Sequence, residues 1–103
     1  MKDSEKDYCP LAYTMSLIGT KWKPLALFHL IPGSMRSGLL QKKMPEISNK
    51  MFTQTVRELE RDGLISRKVF PVVPPKVEYE LTGKGRSLED ILQRLDKWGS
   101  EQS

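Results

Sequence analysis

At 103 residues the chain has the length of a single domain spanning residues 1–103, able to bury about two-thirds of its unfolded surface in one core centred on residues 9–99. A hydrophobic fraction of 38% with 29% charged residues suits a folded chain, and the longest apolar stretch, Leu25 to Ile31, is interrupted by His29 and far too short to span a bilayer. With Cys9 and His29 as its sole cysteine and histidine, the chain cannot form an internal disulfide or a four-ligand zinc site, so neither metal nor cofactor is expected.

The first seven residues, Met1 to Asp7, mix both signs of charge and lead into no apolar signal core, so a cytoplasmic location and no membrane partner are expected. The net charge of +4 is unevenly placed: residues 36–76 hold nine cations and four carboxylates, whereas residues 77–103 hold four and six. A cationic middle on a compact chain is what neutralisation of nucleic-acid phosphates requires, although a solvated face would carry charge too.

Taken in order, Cys9-Pro10 opens a first helix, because proline suits the first helical position, and Gly19 closes it. Thr20 caps a second, in which Pro24 still lies in the first turn, and Ile31-Pro32-Gly33 ends it. That helix is apolar nearly all round, from Trp22 and Leu25 to Leu30, which predicts a central element covered on most sides. A short helix from about Ser37 to Lys43 stops at Met44-Pro45, and Ser48 caps another that ends at Asp62-Gly63. Two extended runs follow, Leu64 to Phe70 and Lys76 to Leu81, and are expected to pair as a hairpin. Pro71-Val72-Val73-Pro74-Pro75 lacks the donors for a full ladder and reads as the hairpin tip. Thr82 caps a last helix, expected to end at Gly99, with Leu88, Ile91, Leu92, Leu95 and Trp98 in one apolar stripe.

This order is the one expected of an α+β winged helix-turn-helix, with a three-helix core, a two-stranded β wing and a C-terminal helix whose apolar stripe is expected to serve dimerisation. On a wheel of residues 49–62, Phe52, Val56 and Leu59 share an arc of about 60°, while Lys50, Thr53, Gln54, Arg57 and Arg61 cluster opposite. One side packs and the other is free to read DNA. Gln54 and Asn49 suit adenine edges, Arg57 or Lys50 guanine or phosphate, and Thr53 and Ser48 either bases or backbone. On the wing, Lys76, and less so Arg67 and Lys68, is placed to meet the flanking minor groove or its phosphates.

Three separated stretches resemble the HxlR-type family of bacterial winged helix-turn-helix regulators, relatives of the MarR-like proteins. They are Cys9-Pro10 with Leu17-Ile18-Gly19-Thr20-Lys21-Trp22; Ile47-Ser48-Asn49-Lys50-Met51 through Arg57-Glu58-Leu59-Glu60-Arg61-Asp62-Gly63-Leu64-Ile65; and Val73-Pro74-Pro75-Lys76-Val77-Glu78-Tyr79-Glu80-Leu81-Thr82. The resemblance implies a homodimer that binds operator DNA through the helix beginning near Asn49 and through the wing, with the first and last helices building the dimer. One departure stands out: the family's Arg-Phe followed one residue later by Glu-Leu is here Arg36-Ser37-Gly38-Leu39-Leu40, so Arg36, a candidate DNA contact, loses its usual acidic neighbour.

Cys9 admits two readings. At a helix start, free N–H groups favour a reactive thiolate, and some relatives with this cysteine sense oxidants or electrophiles; alternatively, the thiol is a small buried hydrophobe, with Asp7 opposing its ionisation. His29 has no nucleophile at motif spacing and reads as a packed or dimer-facing side chain. No nucleophile–base pair can be named, so no enzyme is expected. The expected function is sequence-specific DNA binding by a homodimer on a pseudo-palindromic operator, with a small-molecule or oxidant effector as a further candidate partner. The alternative is a winged-helix protein-interaction module that binds no DNA.

Overall fold

The computed structural model describes residues 9–103; Asp7, weighed above against Cys9 ionisation, lies outside them. Helix α1 (Pro10–Ile18) starts with proline at its first position and ends where the Gly19 N–H donates to the Met15 carbonyl at 2.7 Å. The Thr20 hydroxyl accepts from the Lys23 N–H at 3.3 Å, at the start of α2 (Trp22–His29). The chain then forms a two-residue strand β1 (Met35–Arg36), helix α3 (Ser37–Lys42), and a turn in which Glu46 takes a left-handed φ of 72°. Helix α4 (Asn49–Arg61) follows, capped by the Ser48 hydroxyl, which accepts from the Met51 N–H at 3.0 Å. It ends at Gly63, whose φ of 77° is the left-handed conformation that stops a helix and favours glycine.

Strands β2 (Ile65–Phe70) and β3 (Lys76–Leu81) form the predicted hairpin, with Arg67 opposite Tyr79 and Phe70 opposite Lys76. The expectation needs one correction: β1 pairs on the far edge of β3, placing Met35 opposite Tyr79, so the sheet has three antiparallel strands in the order β1-β3-β2. Two residues are too few to show a period of two in sequence.

The last helix also differs from expectation. Thr82 caps only a short turn, α5 (Gly83–Arg86), and the chain bends at Ser87-Leu88 before α6 (Glu89–Gln102). Helix α6 runs through Gly99 rather than ending there. Gly85, a poor helix former, sits where a side chain would run into the Leu64 carbonyl, which explains its presence at a close crossing.

The core gathers Leu27 and Leu30 from the second helical region, Leu40 and Met44 from the third, and Leu59, Leu64 and Ile65 from α4 and the strand it leads into. Phe52, Val56 and Leu59 form the buried side of α4, as the wheel required, and Thr55 is buried beside them. Phe52 meets Tyr79 edge-on, with ring centroids 6.5 Å apart, which ties α4 to the central strand and contributes about 0.5–1.5 kcal/mol beyond burial. Helix α2 is less enclosed than expected: Leu25 is exposed, while Lys23 is buried.

Candidate nucleic-acid interface

Helix α4 leaves the core through its apolar side and presents Asn49, Lys50, Thr53, Gln54 and Arg57 exposed on the other, together with the capping Ser48. Its neighbour α3 is joined to it by a side-chain hydrogen bond in which the Gln41 amide donates to the Asn49 carbonyl oxygen at 2.6 Å. Across the turn, these two residues hold the helix pair in register. Nothing in the sequence pattern singled out Gln41.

Between α4 and the wing runs an open groove of about 730 Å³. Its cationic walls are Arg36 at the start of α3, Arg57 on α4, and Arg67 and Lys76 on the wing, with Glu60 as the sole carboxylate in the lining. Three elements distant in sequence thus turn cations towards one concavity, where their fields add. Asn49 and Thr53 line the same groove, and Lys50 and Gln54 lie on the adjoining surface of α4 with Thr53 and Arg57.

The ion pairs separate free cations from occupied ones. Arg61, grouped on the wheel with the polar side, is turned onto its neighbour Asp62 by two hydrogen bonds of 3.0 and 3.2 Å. The guanidinium beside Asp62 holds that carboxyl below the usual range. Lys76 lies 3.4 Å from Glu78 and 4.3 Å from the Phe70 ring centroid, which Lys68 also approaches at 4.9 Å, so Phe70 organises both wing lysines. Among the described residues, Arg36, Lys50, Arg57 and Arg67 form no salt bridge. Arg67 therefore has a stronger place in the groove than its sequence position indicated.

Sequence reasoning missed a further arrangement behind α4. Lys23 of α2, with only 8% of its side chain exposed, places its ammonium 2.7 Å from one Glu58 oxygen. The other Glu58 oxygen accepts from the Gln54 amide at 3.1 Å. These hydrogen bonds, that from Lys23 foremost, hold the Glu58 carboxyl below its ordinary range. A lysine in an apolar helix carries no sequence signal that it is buried.

Elsewhere, Cys9 is exposed at the N-cap of α1, contrary to the buried-hydrophobe reading. Of the stripe on the last helix, Leu92 is buried in the protomer's own core and Leu88 packs against it, whereas Ile91, Leu95 and Trp98 are 47%, 55% and 64% exposed. Burial, and to a lesser degree Lys43, pushes the His29 imidazole below its ordinary range. No helix among the described residues is long and apolar enough to cross a membrane.

A helix-turn-helix with its second helix exposed along the polar side, flanked by a hairpin across a cationic groove, defines the winged helix-turn-helix class of DNA-binding proteins. Residues 17–103 match the HxlR-like helix-turn-helix family, and the chain belongs to it. It is 47% identical over 93 residues to the HTH-type transcriptional regulator YdeP of Bacillus subtilis (strain 168), a match covering 90% of this chain and 73% of that protein. Among solved structures, the redox regulator HypR in its oxidised form superposes with a TM-score of 0.86 at 43% identity, covering 90% of this chain and 96% of that one. The reduced form of the transcriptional regulator YodB from B. subtilis gives a TM-score of 0.76 at 34% identity, covering 91% of this chain and 93% of that one. The protein is accordingly a DNA-binding transcriptional regulator, not an enzyme.

Proposed function

We propose that two copies of this chain bind one pseudo-palindromic operator in the cytoplasm, each inserting α4 into the major groove while its wing lies on the flanking backbone. The observation that carries this reading is the groove in which Arg36, Arg57, Arg67 and Lys76 converge beside the exposed polar side of α4. Arg57, Lys50, Gln54, Asn49 and Thr53 are the base-reading candidates; Ser48, Arg36 and Lys76 contact the backbone. Dimerisation is supported by two apolar stripes left uncovered: Leu11 and Met15 on α1, and Ile91, Leu95 and Trp98 on α6. Two-fold symmetry then sets the half-sites about 34–36 Å apart along the duplex, or a multiple of that.

The effector is an oxidant or electrophile acting at Cys9. Its support is the exposed thiol, together with the likeness to a redox regulator. Because each chain carries one cysteine, oxidation joins two copies or one copy and a small thiol. The test of DNA reading is fluorescence anisotropy with a duplex selected from a randomised library and with its scrambled version, across a salt series. Tight, salt-dependent binding of both with a preference of about 10³-fold or more for the selected duplex is expected; equal affinity for the two would remove the operator assignment. For Cys9, diamide should change operator affinity in the wild type and leave Cys9→Ser unaffected.

A further inference from the structure

We propose that Lys23 is a positioning residue for base reading: through Glu58 it fixes the Gln54 side-chain amide in one orientation and so makes adenine the base that Gln54 selects. This rests on the reading above that α4 enters the major groove. The chain of contacts is short and directional. Lys23 approaches from α2, behind the reading helix, and its ammonium meets one Glu58 oxygen at 2.7 Å. Glu58 lies one helical turn beyond Gln54, and its second oxygen accepts from the Gln54 amide nitrogen at 3.1 Å.

An ionised carboxylate only accepts hydrogen bonds, so the Gln54 atom turned towards it must be the nitrogen. The Gln54 carbonyl oxygen and its second amide hydrogen are then left for a base edge. Adenine presents the matching pair in the major groove, an N6 donor and an N7 acceptor. Released from Glu58, the terminal amide of Gln54 would rotate freely about a broad torsion and would have to be ordered anew on binding. Lys23 has a second effect from the same place: its charge offsets that of Glu58, a carboxylate that would otherwise stand unpaired on the helix nearest the phosphates. Neither Lys23 nor Glu58 needs to touch DNA for this.

The experiment compares base preference, not affinity alone. Wild-type protein selects duplexes from a randomised library, and anisotropy with single-base variants locates the pair at which Gln54→Ala loses its preference for adenine. Lys23→Met should lower that same preference by about fivefold or more, while preferences elsewhere stay within about twofold. Adding Lys23→Met to Gln54→Ala should cause no further loss at that pair, since both changes act on one contact. Lys23→Met leaves Glu58 without its partner, so Lys23→Met/Glu58→Met is the companion variant; it removes both charges together and should melt near the wild type. The proposal is overturned if the folded variants keep the adenine preference, or if they weaken every sequence equally. It is also overturned if Gln54→Ala changes no preference; loss of preference in Arg57→Ala in the same assay would then show that α4 still reads DNA.

Discussion

Helices α4 and α6 are both amphipathic, yet the protomer treats their apolar sides differently. On α4, Phe52, Val56 and Leu59 are all buried, so the polar side is what remains for a partner. On α6, Leu92 is buried, but Ile91, Leu95 and Trp98 remain exposed, so the apolar side is what remains. We propose that the side the fold leaves unused selects the kind of partner: a polyanion for the cationic, amide-bearing side of α4, and a second apolar surface for α6.

Truncation separates the two helices most strongly. Leu59→Ala removes a fully buried side chain and should destabilise the protomer by about 2–5 kcal/mol in denaturant unfolding, whereas Leu95→Ala should change protomer stability by about 0.5 kcal/mol or less. Equal losses would mean that the α6 stripe is core after all. Next in size is the effect of charge on the exposed stripe: Leu95→Lys together with Trp98→Ala should shift the sedimenting species from dimer to monomer at micromolar concentration, a loss of about 2 kcal/mol or more.

On the α4 side, Arg57→Ala should weaken binding of the selected duplex by about 1–3 kcal/mol and relax preference at one position. Lys76→Ala should act differently, lowering affinity for all sequences and flattening the salt slope by about one. Anisotropy across salt separates the two, and identical behaviour would erase the distinction between reading helix and wing. The smallest effect expected is on acid stability. Glu58 has its pKa lowered by folding, so its stabilising contribution is fully present above the ordinary carboxylate range and is lost as pH falls through the lower, folded value. Glu58→Gln should therefore flatten the decline of melting temperature below about pH 4.5; an unchanged decline would leave the Lys23 pair without a role in stability.

Much of this was legible because it depends on local chemistry. Pro10, Ser48 and Gly63 mark helix ends through their own backbone preferences or capping, and the period of α4 separates its two sides without knowledge of what packs there. What escaped depends on contacts between distant segments. Strand β1 exists because Met35 and Arg36 lie alongside β3, over forty residues later, and Lys23 is buried because α4 brings Glu58 to it. Helix α6 starts anew after Ser87-Leu88, and of the stripe on it Leu92 alone is buried in the protomer. The groove was legible only in part: Arg36, Arg57 and Lys76, and less so Arg67, were expected to contact DNA, but their convergence on one concavity depends on how the strands pair and pack beside α4.

We propose contact between DNA and the polar side of α4. Its most direct test is to follow backbone amide NMR shifts while the library-selected duplex is titrated into the protein. Shifts should concentrate on Lys50, Thr53, Gln54 and Arg57 and at the wing around Arg67 and Lys76, leaving the amides of Ile91 to Trp98 near their free positions. Shifts confined to α6, with α4 unmoved by the duplex, would contradict it.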